Sequence, residues 1–493
     1  MPATAGSPEG GKPTGWSKPA GPDGIPVARG KPLPTILDVP LPSRKEAASS
    51  MARTILLLLT AGISACLPGW TAGRPRAAEM LAASVSSITA ADAARHVEAL
   101  ADDAFEGREG GSRGGRAAAA YIVEQIEPLG FEPAGEAGSW YQPFGAGLRN
   151  VLALLPGRDP ALARELVVVG AHYDHVGYGT ERNSFGPFGF VHNGADDNAS
   201  GVGGLIEVME ALQRLPEPPR RSILIAFWDG EEKGLLGSNH FVRVRPEPLA
   251  DCRPVFSINL DMIGRLRNDR LVVYGARTSP ELRRRLVGVN NDPRAAAGLE
   301  LAFDWDILED SDHYPFIAAR IPTVMFHTGL HDQYHRPSDD VELINFAGIP
   351  PVARLTLALV TAIADEDQRP TFRAASQAES NATRRRLEER RPPGGPSRGR
   401  WGIVTRADPC EPSTPIVVDV REDAPAQRAG LRPGDRLLSV DGQSFADQAG
   451  MVDCLKRAGD DCLLEIDRRG RVIGIELASA AERSRAAPRP SDD

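Results

Sequence analysis

Apolar residues along the chain follow two alternating patterns. ELVVVGAHYD, SILIAFWD, PVFSINLDMIG, RLVVYGA and IPTVMFHTG each carry a short, nearly continuous apolar run that ends in polar or turn-forming residues, as buried strands do. TAADAARHVEALAD, RAAAAYIVEQIEPLG and SGVGGLIEVMEALQRL instead space their apolar residues three and four apart, as amphipathic helices do. Thr89 is placed to cap the first of these, and Gly130 to end the second. Strands alternating with helices over residues 88–365 predict an α/β sheet flanked by helices.

The pattern dissolves after Asp365. Residues 366–398 are charged, rich in Pro and Gly and poor in apolar residues, which predicts a linker with a short helix near TRRRLEER. Apolar runs return over residues 399–478, in PIVVDV, DRLLSV and CLLEIDRRGRVIGIEL, with a helix-like MVDCLKRAG between them. A second, small β-rich domain is expected there, followed by a disordered tail at 479–493.

The opposite end is different again. Residues 1–50 are rich in Pro, Gly and Lys and lack any apolar period, so they read as a disordered extension ahead of a true start at Met51. From Met51, MARTILLLLTAGISACLPGW combines Arg53, a short apolar run over residues 55–65 and small residues, which is the make-up of a secretory signal and too short for a stable bilayer anchor. Ile63-Ser64-Ala65-Cys66 resembles the lipobox of bacterial lipoproteins, whose cysteine is lipidated. The expectation is an exported protein, either a periplasmic or cell-envelope lipoprotein attached to the membrane through Cys66, or a secreted one. Residues 67–87 read as a tether.

A chain of 493 residues exceeds one ordinary domain, and 41% hydrophobic residues suffice for a core. A net charge of -9, with no clustered Lys/Arg stripe, argues against a nucleic-acid partner. Five cysteines without a CxxC pair make no disulfide framework, although export would let two of Cys410, Cys454 and Cys462 join.

The chemistry is concentrated in acidic doublets. Asp196-Asp197 lies in GADDNASG and Glu231-Glu232 in FWDGEEKG. Neighbouring carboxylates repel, so a folded chain that buries them supplies cations. Each doublet also has a plain explanation, a helix cap for the first and an acidic helix start for the second. His172 and Asp174 in HYDHVG are two apart on a strand and share a face, so Asp174 could steady the second nitrogen of a metal-bound His172 or help orient the loop. One oxygen of Asp196 to each of two metals would make it a bridge. One glutamate of the second doublet could ligate while its neighbour moves a proton. Asp261 ends another strand, and DQYHRPSDD offers His335 with Tyr334 beside it, a phenol able to donate to a developing oxyanion. Two histidines and three carboxylates suit paired zinc ions better than magnesium.

HYDHVG, GADDNASG, DGEEKGLLGS, NLDMIG, SDHYPF and YHRPSDD, in this order over residues 88–365, together resemble zinc aminopeptidase family 28 of the metallopeptidases. The resemblance implies a zinc-exopeptidase fold with a central mixed β-sheet flanked by helices, and two Zn2+ per chain. It implies His172 and Asp261 on one zinc, Glu232 and His335 on the other, and Asp196 as the bridge, with Asp197 supporting the loop. Glu231 would be the general base, Asp174 a support and Tyr334 a group polarising the scissile carbonyl. A cis Asp196–Asp197 bond is implied as well. The implied reaction is hydrolysis of the N-terminal peptide bond of peptides or proteins by a metal-bridging hydroxide. Residues 311–316 are expected to border the substrate pocket, with Asp312 and His313 as structural support. His96, His175, His192, His240, His327 and His331 read as surface or scaffold. Two other functions stand beside this one. A glutaminyl cyclase-like acyl transfer would use one zinc and is disfavoured by the five-ligand set; a non-catalytic binding protein on a peptidase fold is disfavoured by the presence of Glu231.

DAPAQRAGLRPGDRLLSVDG, residues 423–442, is similar to the core of PDZ domains. That implies a peptide added as a strand at a sheet edge, with PIVVDV beside the groove and MVDCLKRAG as its helix. TRADPCEPSTP does not match the usual carboxylate-binding loop, and a docking module without a peptide ligand remains the alternative.

Overall fold

The computed structural model describes residues 83–389 and 399–478; the expected signal and lipobox, the extension before them, most of the tether and the tail lie outside the described residues. Nine strands form one mixed sheet: β1 (Glu132–Pro133), β2 (Tyr141–Phe144), β3 (Leu148–Leu155), β4 (Glu165–His172), β5 (Ser222–Trp228), β6 (Arg253–Leu260), β7 (Arg270–Tyr274), β8 (Glu300–Phe303) and β9 (Thr323–His327). Their order is β1-β3-β5-β4-β6-β9-β7-β8, with β2 also paired to β3. The four neighbours β5, β4, β6 and β9 are parallel. On either side of them β3 and β7 run antiparallel to their neighbours.

The continuous apolar runs of these strands divide by parity between two cores. Val167, Val169 and Ala171 of β4 and Ile223, Ile225 and Phe227 of β5 join the larger core, with apolar residues of the helices Ala90–Leu100, Arg113–Ile126, Gly201–Gln213 and Ile349–Asp365. Leu166, Val168, Leu224, Ala226 and Trp228 face the other way, against Phe241, Leu249 and Phe316. A sheet covered on both faces needs no polar alternation, which is why its strands read as unbroken apolar runs. Gly170 interrupts β4 because a Cβ there would lie 2.3 Å from Trp228 Nε1. The cap on Ala90–Leu100 is the expected one, with the Thr89 side chain accepting from the Asp92 amide.

The small domain is a six-stranded sheet of β10 (Ile403–Arg406), β11 (Ile416–Val420), β12 (Arg436–Val440), β13 (Gln443–Ser444), β14 (Asp461–Arg468) and β15 (Arg471–Ala478). The order is β10-β11-β12-β14-β15, with β13 on β12. This corrects the groove expected at PIVVDV. That segment is β11, already paired with β10 and β12, so it has no free edge to offer. The strand at that side of the sheet is β10, and the Gln448 side chain of the helix Gln448–Arg457 donates to the Thr405 carbonyl at 2.8 Å. The cysteines among the described residues, Cys252, Cys410, Cys454 and Cys462, are all unpaired thiols.

The expected linker is also more structured than its composition implied. Residues Ala374–Ala378 and Asn381–Glu388 are helical, and only 390–398 fall outside the described residues. The order comes from ion pairs rather than apolar burial. Arg277 forks onto Asp408, with Nη1 at 3.0 and 2.9 Å from its two oxygens, donates also to Glu379, and lies with its guanidinium carbon 3.8 Å from the Trp305 ring centre. Arg436 donates to the same Asp408 at 2.9 Å. Nearby, Arg283 donates to Asp467, and the turn between β14 and β15 reaches the sheet edge, where the Leu301 amide donates to the Arg469 carbonyl at 2.8 Å.

Burial alone would raise the Asp408 pKa, but Arg436 and Arg277 hold its carboxyl well below the usual range. A depressed folded-state pKa contributes stability that is complete above the unfolded value, about 4, and is lost as pH falls toward the folded value. Asp408→Ala strands two buried guanidinium groups and should cost about 3–5 kcal/mol at neutral pH. Thermal unfolding of the variant and the parent at pH 7 and pH 3 checks this: the gap should narrow on acidification, and an equal gap at both pH values contradicts the pairing.

Candidate metal centre

The four parallel strands end side by side, and the residues singled out by sequence follow their carboxyl ends, the usual place for chemistry in an open α/β sheet. His172 closes β4, Glu231 and Glu232 follow β5, Asp261 follows β6, and His335 lies in the loop after β9. All five are at most 9% exposed or, for Glu232, half-buried with a carboxylate only 5% exposed.

Asp197 is the residue between the two histidines. His172 Nε2 is 3.3 Å from Asp197 Oδ1 and 3.5 Å from Asp261 Oδ1. His335 Nε2 is 3.2 Å from Asp197 Oδ2 and 3.2 Å from Glu232 Oε1. Two sets of potential ligands result, His172–Asp197–Asp261 and His175–Asp197–Glu232–His335, each offering ligand atoms within 4.8 Å of one another. Their shared member presents a different oxygen to each histidine, and the N/O donor set fits zinc.

The bridging position expected at Asp196 is therefore corrected by one residue. The Asp196 carboxylate turns away from the histidine pair: Oδ1 accepts from the Gly264 amide at 2.6 Å and from Ser200 Oγ at 3.0 Å, and Oδ2 is 3.2 Å from His331 Nε2. Consecutive residues of a doublet leave the backbone in different directions, and the letters alone could not say which faced the metals. The cis peptide moves with it, to Asp197–Asn198 rather than Asp196–Asp197.

Of the two roles expected of Asp174, its carboxylate takes the loop-orienting one. His172 Nδ1 meets the Asp174 backbone carbonyl at 3.1 Å, while the carboxylate oxygen is 3.9 Å away. That carboxylate instead accepts the amides of Glu231 at 3.0 Å and Glu232 at 3.4 Å, fixing the turn that carries both glutamates. Tyr334 stacks on His335 with ring centres 3.9 Å apart. Burial, reinforced by Asp197, Glu232, Glu231 and Asp261, pushes its phenol well above the ordinary range, so it stays a neutral donor. In the segment expected at the pocket, Ser311 Oγ donates to Asp261 Oδ2 at 2.5 Å, and Asp312 accepts from Ser238 in a structural role.

Arg108 and Asp339 escaped the sequence reading, and His175, expected as surface or scaffold like His331, lies instead in a candidate ligand set. His175 Nδ1 is 3.0 Å from Glu232 Oε1, although its place in HYDHVG was the available hint. Asp339 Oδ2 accepts both the Asp196 and Asp197 amides at 3.0 Å, and its other oxygen takes Arg265 at 2.9 Å. His331, buried beside Asp196, belongs to the same network. Arg108, from the glycine-rich GREGG stretch, is fully buried and donates to the carbonyls of Leu100, Tyr173, Asn193 and Gly194, so one side chain ties the β4 end to the approach of the Asp197 loop. Burial lowers its pKa to about 10, opposed by Asp197, Asp339, Asp174 and Glu232, so it remains a fixed cation at neutral pH. Within that approach Gly194 has φ +55, and a Cβ there would lie 2.2 Å from the Asp197 carbonyl.

The carboxylates decide the protonation of the imidazoles. Burial alone would lower the His172 and His335 pKa values, but Glu231 and Asp261 for the first, and Glu232 and Asp197 for the second, raise them well above the usual range. The same negative charge favours a dication in place of those protons. Zinc content measured after dialysis separates the two aspartates. Asp197→Asn should lose metal from both ligand sets, whereas Asp196→Asn should retain most of it; the reverse order would return the bridge to Asp196.

Residues 150–360 match the family described as peptidase family M28, and residues 416–468 match the PDZ domain. The chain is 28% identical over 218 residues to aminopeptidase YwaD of Bacillus subtilis, an alignment covering 42% of this chain and 43% of that protein, so it spans less than half of that relative's length. It is 26% identical over 324 residues to leucine aminopeptidase 1 of Grosmannia clavigera, covering 60% of this chain and 73% of the other. Among solved structures, the LapA aminopeptidase of Legionella pneumophila aligns with a TM-score of 0.50 at 18% identity, over 59% of this chain and 76% of that one, a likeness of fold. With the family's motifs gathered at the ends of its parallel strands, residues 150–360 match peptidase family M28, and a PDZ domain follows at residues 416–468.

Proposed function

We propose that the chain is a zinc aminopeptidase that holds two zinc ions and hydrolyses N-terminal peptide bonds with Glu231 as general base. The observation that carries this reading is Asp197, whose two oxygens each lie beside a different histidine. His172 and Asp261 would hold one ion, Glu232 and His335 the other, and Asp197 both. Paired zinc, when bound, polarises the scissile carbonyl and makes a water acidic enough to attack near neutrality.

The chain's own residues do the remainder. Glu231, its amide held by Asp174, takes a proton from the attacking water and returns it to the leaving amine. The neutral Tyr334 phenol donates to the oxyanion that forms on the carbonyl. The named relatives YwaD and leucine aminopeptidase 1 are aminopeptidases, which is the reason to favour an amino terminus over a carboxyl terminus. Two ligand sets sharing Asp197 speak against the single-zinc cyclisation, and Glu231 beside them speaks against a binding protein without chemistry. The same reading has the enzyme exported and its PDZ domain taking a peptide strand along β10.

Hydrolysis of an aminoacyl-nitroanilide panel, with and without chelator, tests the activity; zinc-loaded protein that cleaves none of the panel contradicts it. Glu231→Gln should keep its zinc while turnover falls by about 10²–10⁴-fold. Turnover near that of the parent would remove Glu231 from the base role.

A further inference from the structure

We propose a separate dication site, of the zinc class, formed by His96, Glu207 and Glu210. It shares no residue with the centre at the strand ends. His96 lies on the helix Ala90–Leu100, and Glu207 and Glu210 lie one turn apart on the helix Gly201–Gln213 that packs against it. One ligand atom from each of the three falls within 4.8 Å of the others.

Two buried atoms in this cluster lack hydrogen-bond partners. His96 is 1% exposed and Glu207 is fully buried, yet His96 Nε2 and Glu207 Oε1 have none. Leaving such groups unsatisfied costs about 1–3 kcal/mol each, so an interior rarely keeps two in one cluster without a third party. The remaining atoms of both side chains are already committed. His96 Nδ1 is 3.0 Å from Tyr121 Oη, and Glu207 Oε2 accepts the Thr89 amide at 2.8 Å. A ligating histidine is ordinarily oriented this way: one ring nitrogen donates to a fixed neighbour and the other keeps its lone pair for the metal.

The donor set narrows the ion. One imidazole and two carboxylates, with the half-buried Glu210 on the solvent side leaving room for water, match zinc and its neighbours; calcium and magnesium prefer oxygen alone. The protonation tendencies agree. Burial, aided by Arg95, lowers His96 to about 4, which leaves a neutral ring at physiological pH. Burial, with Glu210 and Asp92 adding to it, raises Glu207 to about 7, a carboxyl whose ionisation a cation would favour. Occupied, the site would fasten the helix that begins at the Thr89 cap to the helix that continues from the Asp197 loop.

The test is zinc content of the full chain equilibrated with zinc chloride and dialysed. His96→Ala and Glu210→Gln should each hold one zinc fewer than the parent, with nitroanilide hydrolysis retained. His172→Ala should still show that one-zinc drop when Glu210→Gln is added to it. The comparison is a difference between variants, so it stands whatever the strand-end centre binds. Glu210 is half-buried and the substitution isosteric, which keeps the fold. Unchanged zinc in Glu210→Gln, in either background, overturns the site and leaves a proton shared between His96 and Glu207 as the explanation.

Discussion

Like charges held close together in a dry space govern how this chain is built. Four parallel strands end level, and the loops that follow bring Asp197, Glu231, Glu232 and Asp261 into one buried volume. Repulsion among them would splay the loops apart if nothing opposed it. The opposition is layered. Histidines alternate with the carboxylates at the front. Behind them, Arg108 fixes both ends of the connection from β4 to the Asp197 loop through the Tyr173 and Asn193 carbonyls, and Asp339 fixes that loop by accepting the Asp196 and Asp197 amides. Asp196 ties the Asp197 loop to the one carrying Asp261 through Gly264 and Ser200. The loops are thus held by hydrogen bonds of Arg108, Asp339 and Asp196 that do not depend on a metal, as a preorganised centre requires.

Much of this was legible in the letters, and the reasons differ by feature. Strand runs such as SILIAFW were readable because both faces of the sheet are covered, so apolar continuity maps directly onto buried strands. Four of the candidate site residues, His172, Glu231, Glu232 and Asp261, were readable because they sit at or just past strand ends, where a run of apolar letters stops on a polar one. The choice between Asp196 and Asp197 was not, because it depends on the backbone path through a short loop rather than on residue type. Arg108 and Asp339 were hidden for another reason. They act through backbone groups, and carbonyls and amides leave no trace in a sequence. PIVVDV failed as an edge strand because pairing order is a long-range property that apolar patterning does not encode.

The region between the domains shows the limit of composition. Charge and scarcity of apolar residues predicted a flexible connection, and charge is what orders it. Arg277, Asp408, Glu379 and Arg436 lie within one network, several of them buried, where a guanidinium fork can satisfy two carboxylates at once. Buried pairs of this kind contribute less to stability than an apolar packing of similar volume, but they tolerate few alternative geometries.

That seating bears on what the small domain can do for the large one. A module on a loose tether raises the local concentration of whatever it binds, and it accepts cargo of almost any length. A module fixed by Arg277 and by the β14–β15 turn shares a single frame with the strand-end centre. Anything gripped along its edge would then start from a set position and heading, and the chain between the gripped segment and the cleaved end would need a particular reach. The clamp turns a tether into a ruler.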